Sequence, residues 1–420
     1  MKRFTIVCII SLLLFAVVAG YDVFQPTPAP EPEHTLRIAL WDYDLTTYDR
    51  ELVEAFEKEN PDIAVDVISY RSEVYPMSIQ SLLESGQNID IIYVNQMAML
   101  TELEEKGFCL PLDSFIERDQ IDLPQYSQYL CSAEGEQLAL PYRIDRFLLY
   151  YNKDLFDAAG LSYPDSDMTW DAFYTKATQL QQYLNRMEGE QYSWFSIYIS
   201  THWTDFLTSK PFSVETMDLG QLRDGLSMMV QMQQEGSMVP LQTIRAHSGV
   251  QRMFESGNYG MYISGTWMMH YLKIDSETGD CTMNWDAVEY PHWDGIENET
   301  PAWVTSLCIN QQSTEIEAAW RFVQFICGKS GAEIMARNLM FPAYRDADID
   351  RLLEQEKQRY GITASLDADS YDPPQAVVSA RESNARTAVI EQFGQGVLGL
   401  LSEEECMEQI AQIQSDYFSQ

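Results

Sequence analysis

The sequence is poor in basic residues, in histidine and in long apolar runs. Its 420 residues include 27 Lys and Arg against 64 Asp and Glu, so the formal net charge is -37, and only 5 residues are His. So few cations exclude electrostatic binding to nucleic-acid phosphates or to anionic lipid. Apolar residues nevertheless make up 45% of the chain and aromatic residues 12%, which excludes a disordered acidic polymer. The length is enough for two or three domains that each bury a core.

Signatures of metal, cofactor and catalytic sites are also missing. The 7 cysteines form no C-x-x-C pair, and the acid-rich segment 365–372 lacks the Gly and Glu of a calcium loop, so we expect no metal and no cofactor. No G-x-S-x-G or H-E-x-x-H motif occurs, and we expect the chain not to be an enzyme. Segment 394–399 matches G-x-G-x-x-G, but it follows a helical pattern instead of a strand, which favours a helix end.

Residues 1–20 have the pattern of an export signal. Two basic residues precede an apolar run from Phe4 to Gly20, and we expect the rest of the chain to lie outside the cytoplasm. Residues 21–35 form a proline-rich linker, in which Gln25–His34 is an extended spacer of roughly 30 Å. Tyr21 stands where a bacterial lipoprotein has its lipidated Cys. Two outcomes therefore stay open: the signal is retained as a membrane anchor, or it is cleaved near Gly20 and the protein is released.

Strand and helix patterns alternate along the chain after the linker. The first block contains three apolar strand patterns, at Leu36–Trp41, Ile63–Ile68 and Ile89–Val94. Helix patterns at Tyr48–Glu59 and Met77–Glu84 separate them. Strand–helix–strand units of these lengths predict parallel pairing with right-handed crossovers. Ligands bind such sheets at the carboxyl ends of the strands. The candidate cleft residues that directly follow or end these strands are Trp41, Asp42, Asp44, Asn95 and Gln96.

A second block repeats the alternation. It begins with a strand, a crossing and a second strand at Leu138–Tyr142 and Phe147–Tyr151. The later predicted elements are helices at Trp170–Leu184, with Thr169 as its cap, and Leu219–Gln234, strands at Tyr259–Ser264 and Trp303–Asn310, helices at Glu315–Cys327, Asp348–Tyr360 and Ala376–Gly394, and a last helix capped by Ser402.

Six short motifs occur in a fixed order along the chain. They are Phe56–Ile63, Pro141-Tyr142 with Leu149–Phe156, Ala159–Leu161, Thr169–Phe173, Phe254–Gly257 leading to Gly265-Thr266-Trp267, and Glu317–Phe322. In sequence and in order they resemble the extracellular solute-binding proteins of sugar-transporting ABC importers, the family that includes maltose-binding protein. The resemblance extends from about Leu36 to the C-terminus.

The resemblance implies an α/β, periplasmic-binding-protein-like fold with two lobes, hinge crossovers and a ligand cleft between them. Lobe 1 would comprise residues 36–142 plus 304–341, and lobe 2 residues 143–303 plus 342–420. It implies the extracytoplasmic, monomeric carbohydrate-binding subunit of an ABC transporter, which delivers a mono- or oligosaccharide to permease subunits. The membrane would be contacted only through the N-terminus, and nucleic acid would not be a partner.

The resemblance also assigns candidate site residues. Trp267 corresponds to the family's stacking aromatic and Asp145 to an acid that accepts sugar hydroxyls. Further candidates lie at predicted crossings or in a loop facing the cleft, and they are Trp303, Tyr344, Arg345, His202 and Trp203. Flat rings and planar polar groups are what a sugar needs, since it presents apolar C–H faces and a rim of hydroxyls.

Each candidate has a structural alternative. Trp41 and Trp303 would equally suit packed aromatics at a lobe edge, and Asp145 would equally suit an ion pair with Arg143 or Arg146. We expect Trp170 and Trp320 to be core residues. We expect Asp90 to be a local cap instead of a ligand contact. Two other functions stay open: a sugar-sensing receptor of the same fold, and a glycoside hydrolase, because a chain with 64 acids always offers a pair of carboxylates.

Overall fold

The computed structural model describes residues 32–72, 74–124, 126–132, 134–195, 207, 212–246, 251–296, 302–364 and 380–419. The predicted export signal, most of the linker, the acid-rich segment 365–372, and the candidates His202 and Trp203 lie outside the described residues. Within the described ranges, no helix has both the length and the apolar character that crossing a membrane requires.

Strands and helices alternate through most of the described chain. The strands are β1 His34–Trp41, β2 Ile63–Tyr70, β3 Ile91–Val94, β4 Leu140–Asp145, β5 Phe147–Asn152, β6 Tyr192–Phe195, β7 Tyr259–Gly265, β8 Trp285–Val288 and β9 Trp303–Ile309. The helices are α1 Tyr48–Glu59, α2 Tyr75–Glu84, α3 Met97–Glu105, α4 Asp113–Asp119, α5 Lys153–Ala159, α6 Trp170–Leu184, α7 Leu219–Glu235, α8 Leu241–Ala246, α9 Gln251–Glu255, α10 Met268–Thr278, α11 Ile316–Cys327, α12 Lys329–Arg337, α13 Ala347–Arg359, α14 Ala380–Val397 and α15 Glu403–Ser419.

Most predicted elements are confirmed, several with their exact ends. Helix α6 is capped as predicted, since the side chain of Thr169 accepts a hydrogen bond from the backbone N–H of Ala172. The last helix is opened by a capping box in which Ser402 and Glu405 bond each other's backbone N–H groups. The 394–399 segment ends α14 and turns at Gly399, whose φ is +69°, so the interpretation as a helix end is confirmed.

The first sheet has the strand order β2-β1-β3-β9-β4. Strand β1 pairs in parallel with β2 and with β3, as the strand–helix–strand pattern predicted. Strand β9 enters antiparallel between β3 and β4, so the sheet is mixed. The first three strands therefore have their carboxyl ends at one edge, where Trp41 ends β1 and Val94 ends β3.

The second sheet has the order β6-β7-β5-β8. Strand β5 is buried on both faces, which explains its unbroken apolar sequence Phe-Leu-Leu-Tyr-Tyr. Phe147 and Leu149 pack into one core with α6, α7, α14 and α15, whereas Leu148 and Tyr150 pack into another with α10, α12 and α13. A separate core, with members from Leu36 to Ile144 and from Ala302 to Ala343, surrounds the first sheet.

Three segments pass between the two sheets. Strand β4 of the first sheet continues through Arg146 into β5 of the second, and the chain returns where β9 begins at Trp303. Segment 341–343 runs beside β4, because the backbone N–H of Ile144 donates to Phe341 O and that of Ala343 donates to Tyr142 O. The mixed α/β, two-lobed architecture expected from the sequence is thus present.

Asp90 connects three parts of the first sheet. Its side chain is fully buried and accepts hydrogen bonds from the backbone N–H of Arg37 at 2.8 Å and from Ser313 Oγ at 2.6 Å. Its own backbone N–H donates to Arg37 O and its carbonyl accepts from Asn310. The predicted structural role of Asp90 is confirmed.

Replacing Asp90 by Ala tests this role. The change leaves buried donors of Arg37 and Ser313 without an acceptor, so we expect the free energy of unfolding to fall by roughly 2 kcal/mol and Tm by about 2 °C. Differential scanning calorimetry measures both. Asp66→Ala is the matched control, because Asp66 makes an exposed ion pair with Arg37 in the same sheet; an equal loss in the two variants would contradict the prediction.

Candidate functional site

The carboxyl edge of the first sheet gathers polar and aromatic side chains next to the crossing segments. Ser306 of β9 pairs with Val94, and the next residue of β9 toward this edge, Thr305, pairs with Arg143 of β4. Asn95 directly follows Val94 in the chain. The edge thus joins the ends of β1 and β3 to the strand that crosses to the second sheet.

Trp41 lies half-buried at this edge on an aromatic base. Its ring makes edge contacts with Tyr75 and Tyr93, with centroids 5.2 and 6.4 Å away. The hydroxyl of Tyr75 donates to backbone carbonyls of both β1 and β3, so the base is rigidly tied to the sheet. The guanidinium of Arg143 stands 5.9 Å from the Trp41 ring. Trp41 is therefore held in place with part of its surface open to solvent.

The polar candidates after β1 and β3 differ in their environments. Asp42 is buried and has a φ of +52°; its carboxylate accepts from the backbone N–H of Ser72 and lies 3.7 Å from Arg71. Asp44 is exposed. The side chain of Asn95 contributes a buried Oδ1 that has no hydrogen-bond partner in the described part of the chain. Gln96, half-buried, precedes the first turn of α3.

A buried ion pair lies at the crossing between the sheets. Arg143 Nε donates to Asp145 Oδ2 at 2.7 Å, and Asp145 is only 1% exposed. The other carboxylate oxygen accepts from Thr266 of the second lobe at 2.8 Å, while Arg143 Nη1 donates to the hydroxyl of Tyr48 in α1 at 2.7 Å. Of the two alternatives for Asp145, a sugar contact or an ion pair, the structure shows the pair with Arg143.

Burial shifts the protonation equilibria of this network. It raises the pKa of Asp145, and the positive charge of Arg143 opposes that rise. Burial disfavours the cationic form of Arg143, but Asp145 and Tyr48 more than compensate, so its pKa lies well above the usual value. Asp49 lies nearby in α1 and is also buried, with its Oδ2 accepting from Thr46. Burial raises the pKa of Asp49 to about 6.

Trp267 lies at the junction of the lobes. It is half-buried and packs against both the core of the first sheet and one core of the second. Its ring covers Gly265 so closely that a Cβ on that glycine would lie 2.0 Å from ring carbon Cζ3. Phe147 makes edge contacts with Trp267 at 5.3 Å and with Trp303 at 6.0 Å. Trp303 begins β9 opposite Asp145, so both indoles flank the crossing.

The last two candidates contact α13 and the residue that caps it. Arg345 forms an ion pair with Asp350 of α13, and Tyr344 packs against the core that contains α13, with its hydroxyl 3.4 Å from Asp346. The structural residues expected from the sequence behave as expected, since Trp170 and Trp320 are 1% and 0% exposed.

A second contact between the lobes involves residues that the sequence did not indicate. His270 of α10 accepts at Nε2 from the backbone N–H of Thr47 at 3.4 Å, and its Nδ1 lies 2.8 Å from Asn338 O. Asn338 also donates to Glu51 of α1. Burial lowers the pKa of His270 to about 3, so the ring is neutral and can accept at one nitrogen while donating at the other.

Sequence reasoning missed Tyr48, Arg143 as a central residue, Phe147 and Thr266. One signal was available: Arg143 and Asp145 are two residues apart, and in a strand that spacing places both side chains on the same face. The partners from α1 and from the second lobe are 95 and 121 residues away in sequence and carry no local signal.

Comparison with known proteins gives a family match. The family described as bacterial extracellular solute-binding protein matches residues 51–347. A putative binding protein of Brucella abortus is 24% identical over 313 residues, 70% of this chain and 72% of that protein. A mannitol-binding protein of Pseudomonas aeruginosa is 28% identical over 144 residues, 34% of this chain and 31% of that protein. An sn-glycerol-3-phosphate-binding periplasmic protein of Rhizobium meliloti is 24% identical over 152 residues, 34% of this chain and 35% of that protein.

Solved structures share the fold. An ABC substrate-binding protein of Listeria monocytogenes in complex with cycloalternan has a TM-score of 0.75 at 18% identity, covering 92% of this chain and 98% of that one. A sugar transporter of Rhizobium etli in an open conformation has a TM-score of 0.68 at 24% identity, covering 91% of this chain and 99% of that one. At these identities the similarity establishes the two-lobed fold.

The raised pKa of Asp49 predicts a pH-dependent stability. A folded-state pKa of about 6, above the ordinary 3.8, means that the folded state binds the proton more tightly than the unfolded state. The associated stability is fully present below pH 3.8 and is lost as the pH rises through 6. Asp49→Asn removes this loss, so its stability relative to the unmodified chain should increase by about 2 kcal/mol between pH 4.5 and pH 7. Urea unfolding at both pH values measures it.

Glu54→Gln provides the control for that measurement. Glu54 is an exposed acid on the same helix as Asp49, so its replacement makes the same change in charge without altering a buried group. A pH-independent difference between Asp49→Asn and the unmodified chain would show that Asp49 does not titrate in this range.

Proposed function

The chain belongs to the bacterial extracellular solute-binding proteins, and we propose that it is the carbohydrate-binding subunit of an ABC importer. The family acts outside the cytoplasm, and its members bind solutes. What comparison proteins bind, among them mannitol and cycloalternan, supports a polyhydroxylated ligand for this chain too. We propose a mono- or oligosaccharide, or a sugar alcohol.

The observation that carries the proposal is the set of side chains at the crossing between the lobes. Trp41 from the first lobe and Trp267 at the junction are half-buried indoles. The contacts Trp41–Arg143–Asp145–Thr266 connect them without a break. Asn95, beside this chain of contacts, offers a buried amide oxygen without a partner. Rings for C–H faces and an amide for hydroxyls are the elements of a sugar site.

We propose that the lobes are residues 36–145 plus 303–341 and residues 146–302 plus 342–420, and that they close on the ligand by bending at the three crossing segments. The boundaries expected from the sequence, after residues 142 and 303, are corrected here because β4 extends to Asp145 and β9 begins at Trp303, both in the first sheet. Only a few backbone torsions need to change in such a motion, because the sheets and their cores move as bodies. Closure would bring the second-lobe surface near Trp267 over a ligand resting on Trp41. Enclosing the ligand removes apolar ring surface from water and strengthens its hydrogen bonds.

Binding and release of an unchanged ligand is the whole reaction that we propose. The partner is the permease of an ABC importer, to which the loaded protein delivers the sugar. The chain acts as a monomer that meets the membrane only through its N-terminal segment, either as a retained anchor or, after cleavage, through the permease alone. Incubation with oligosaccharides followed by chromatography tests the absence of chemistry: a new product would identify a glycoside hydrolase.

A thermal-shift screen against sugars and sugar alcohols tests the proposed function. A ligand present at 100 times its Kd stabilises the folded state by about 2.7 kcal/mol, which is easily seen as a rise in Tm. We expect at least one monosaccharide, short oligosaccharide or alditol to produce such a rise. If none of a broad panel does, another class of solute is indicated.

Replacement of the indoles tests the site. We expect Trp41→Ala and Trp267→Ala each to weaken binding of the ligand found in the screen about tenfold, since the lost apolar burial and ring stacking together contribute roughly 1.4 kcal/mol. Isothermal titration calorimetry measures the change. Trp285→Phe is the control, because Trp285 lies in β8, opposite Asn152 at the far end of β5 from the crossing; it should bind normally. Normal binding by the Trp41 variant would exclude that residue from the site.

A further inference from the structure

Two guanidinium groups at the crossing edge are paired with carboxylates of the protein itself. Arg143 is held between Asp145 and Tyr48, and its side chain is only 8% exposed. Arg71, which follows β2, lies 3.7 Å from the carboxylate of Asp42. The charges of Arg143 and Arg71 are therefore already compensated by carboxylates.

From this arrangement we infer that the site accepts an uncharged sugar or alditol and rejects the phosphate monoester of the same compound. The inference rests on the proposed function and specifies its ligand class. Proteins similar to this chain differ in whether their ligand carries a phosphate: one is a mannitol-binding protein and another an sn-glycerol-3-phosphate-binding protein.

The physical reason is the cost of removing a phosphate from water. A phosphate dianion has only acceptor oxygens, and burying it requires donors or cations that are not already bound to carboxylates. A hydroxyl can donate to the buried Oδ1 of Asn95, which lacks a hydrogen-bond partner in the described residues, whereas a phosphate dianion has no hydrogen to donate. A dianion at this edge would also meet the carboxylates of Asp42 and Asp145 as like charges. The net charge of -37 adds to the repulsion.

Paired ligands test the inference directly on the unmodified chain. The neutral compound from the thermal-shift screen is compared by calorimetry with its phosphate monoester, for example D-mannitol with D-mannitol 1-phosphate, or maltose with maltose 1-phosphate. We expect the phosphate to bind at least 100-fold more weakly. Equal or tighter binding of the phosphate overturns the inference and leaves the proposed function standing, whereas no binding by any neutral or phosphorylated carbohydrate overturns the proposed function.

A matched pair of variants tests the cause. Asp42→Asn removes the carboxylate beside Arg71, and Asn tolerates the positive φ at this position. We expect it to reduce the ratio of phosphate to neutral Kd at least fivefold. Asp66→Asn makes the same charge change at the exposed Arg37 pair, four residues before the end of β1, and should leave the ratio unchanged. An unaltered ratio in Asp42→Asn, or equal shifts in both variants, would overturn the assignment to compensated arginines at the edge.

Discussion

The ion pair between Arg143 and Asp145 is the interaction on which the arrangement at the crossing depends. Both side chains are buried where β4 leaves the first sheet, and each has one further partner, Tyr48 in α1 and Thr266 in the other lobe. Two charges removed from water are stable only if every remaining donor and acceptor is satisfied. The pair therefore fixes the positions of α1, of β4 and of the turn that carries Trp267.

In this arrangement, the charged groups that stabilise the crossing differ from the groups that we propose to contact the ligand. Arg143 faces the ring of Trp41, and Phe147, just past the crossing, contacts both Trp267 and Trp303. Charged groups thus hold the edge together. We propose that the half-buried rings contact the ligand, with the amide oxygen of Asn95, which has no hydrogen-bond partner among the described residues. Neutral contacts of this kind suit a sugar, whose binding gains from apolar C–H surface as much as from hydroxyl hydrogen bonds.

Local patterns predicted much of the fold because helix and strand ends depend on residues that are close together in the sequence. The helices α1 and α6 begin and end where amphipathic spacing, a Pro after Asn60 and the Thr169 cap indicate. Strand β5 was recognisable from its continuous apolar letters. The candidates placed after β1 and β3 needed only the rule that parallel strands end at a common edge. Asp145 shows the limit of this reasoning, since its partner Thr266 lies 121 residues away in the sequence and no local pattern connects the two.

By itself, the sequence determined the class of the protein: an acidic α/β chain with an export-type N-terminus, two blocks of alternating elements, and motifs of one binding-protein family. Those features depend on composition and on spacing within a few turns of helix or strand. Only the tertiary structure decided which side chains stabilise the protein itself. Asp145 serves Arg143 and Thr266 because residues more than a hundred positions apart meet at the crossing, and such contacts are set by how the sheets pack.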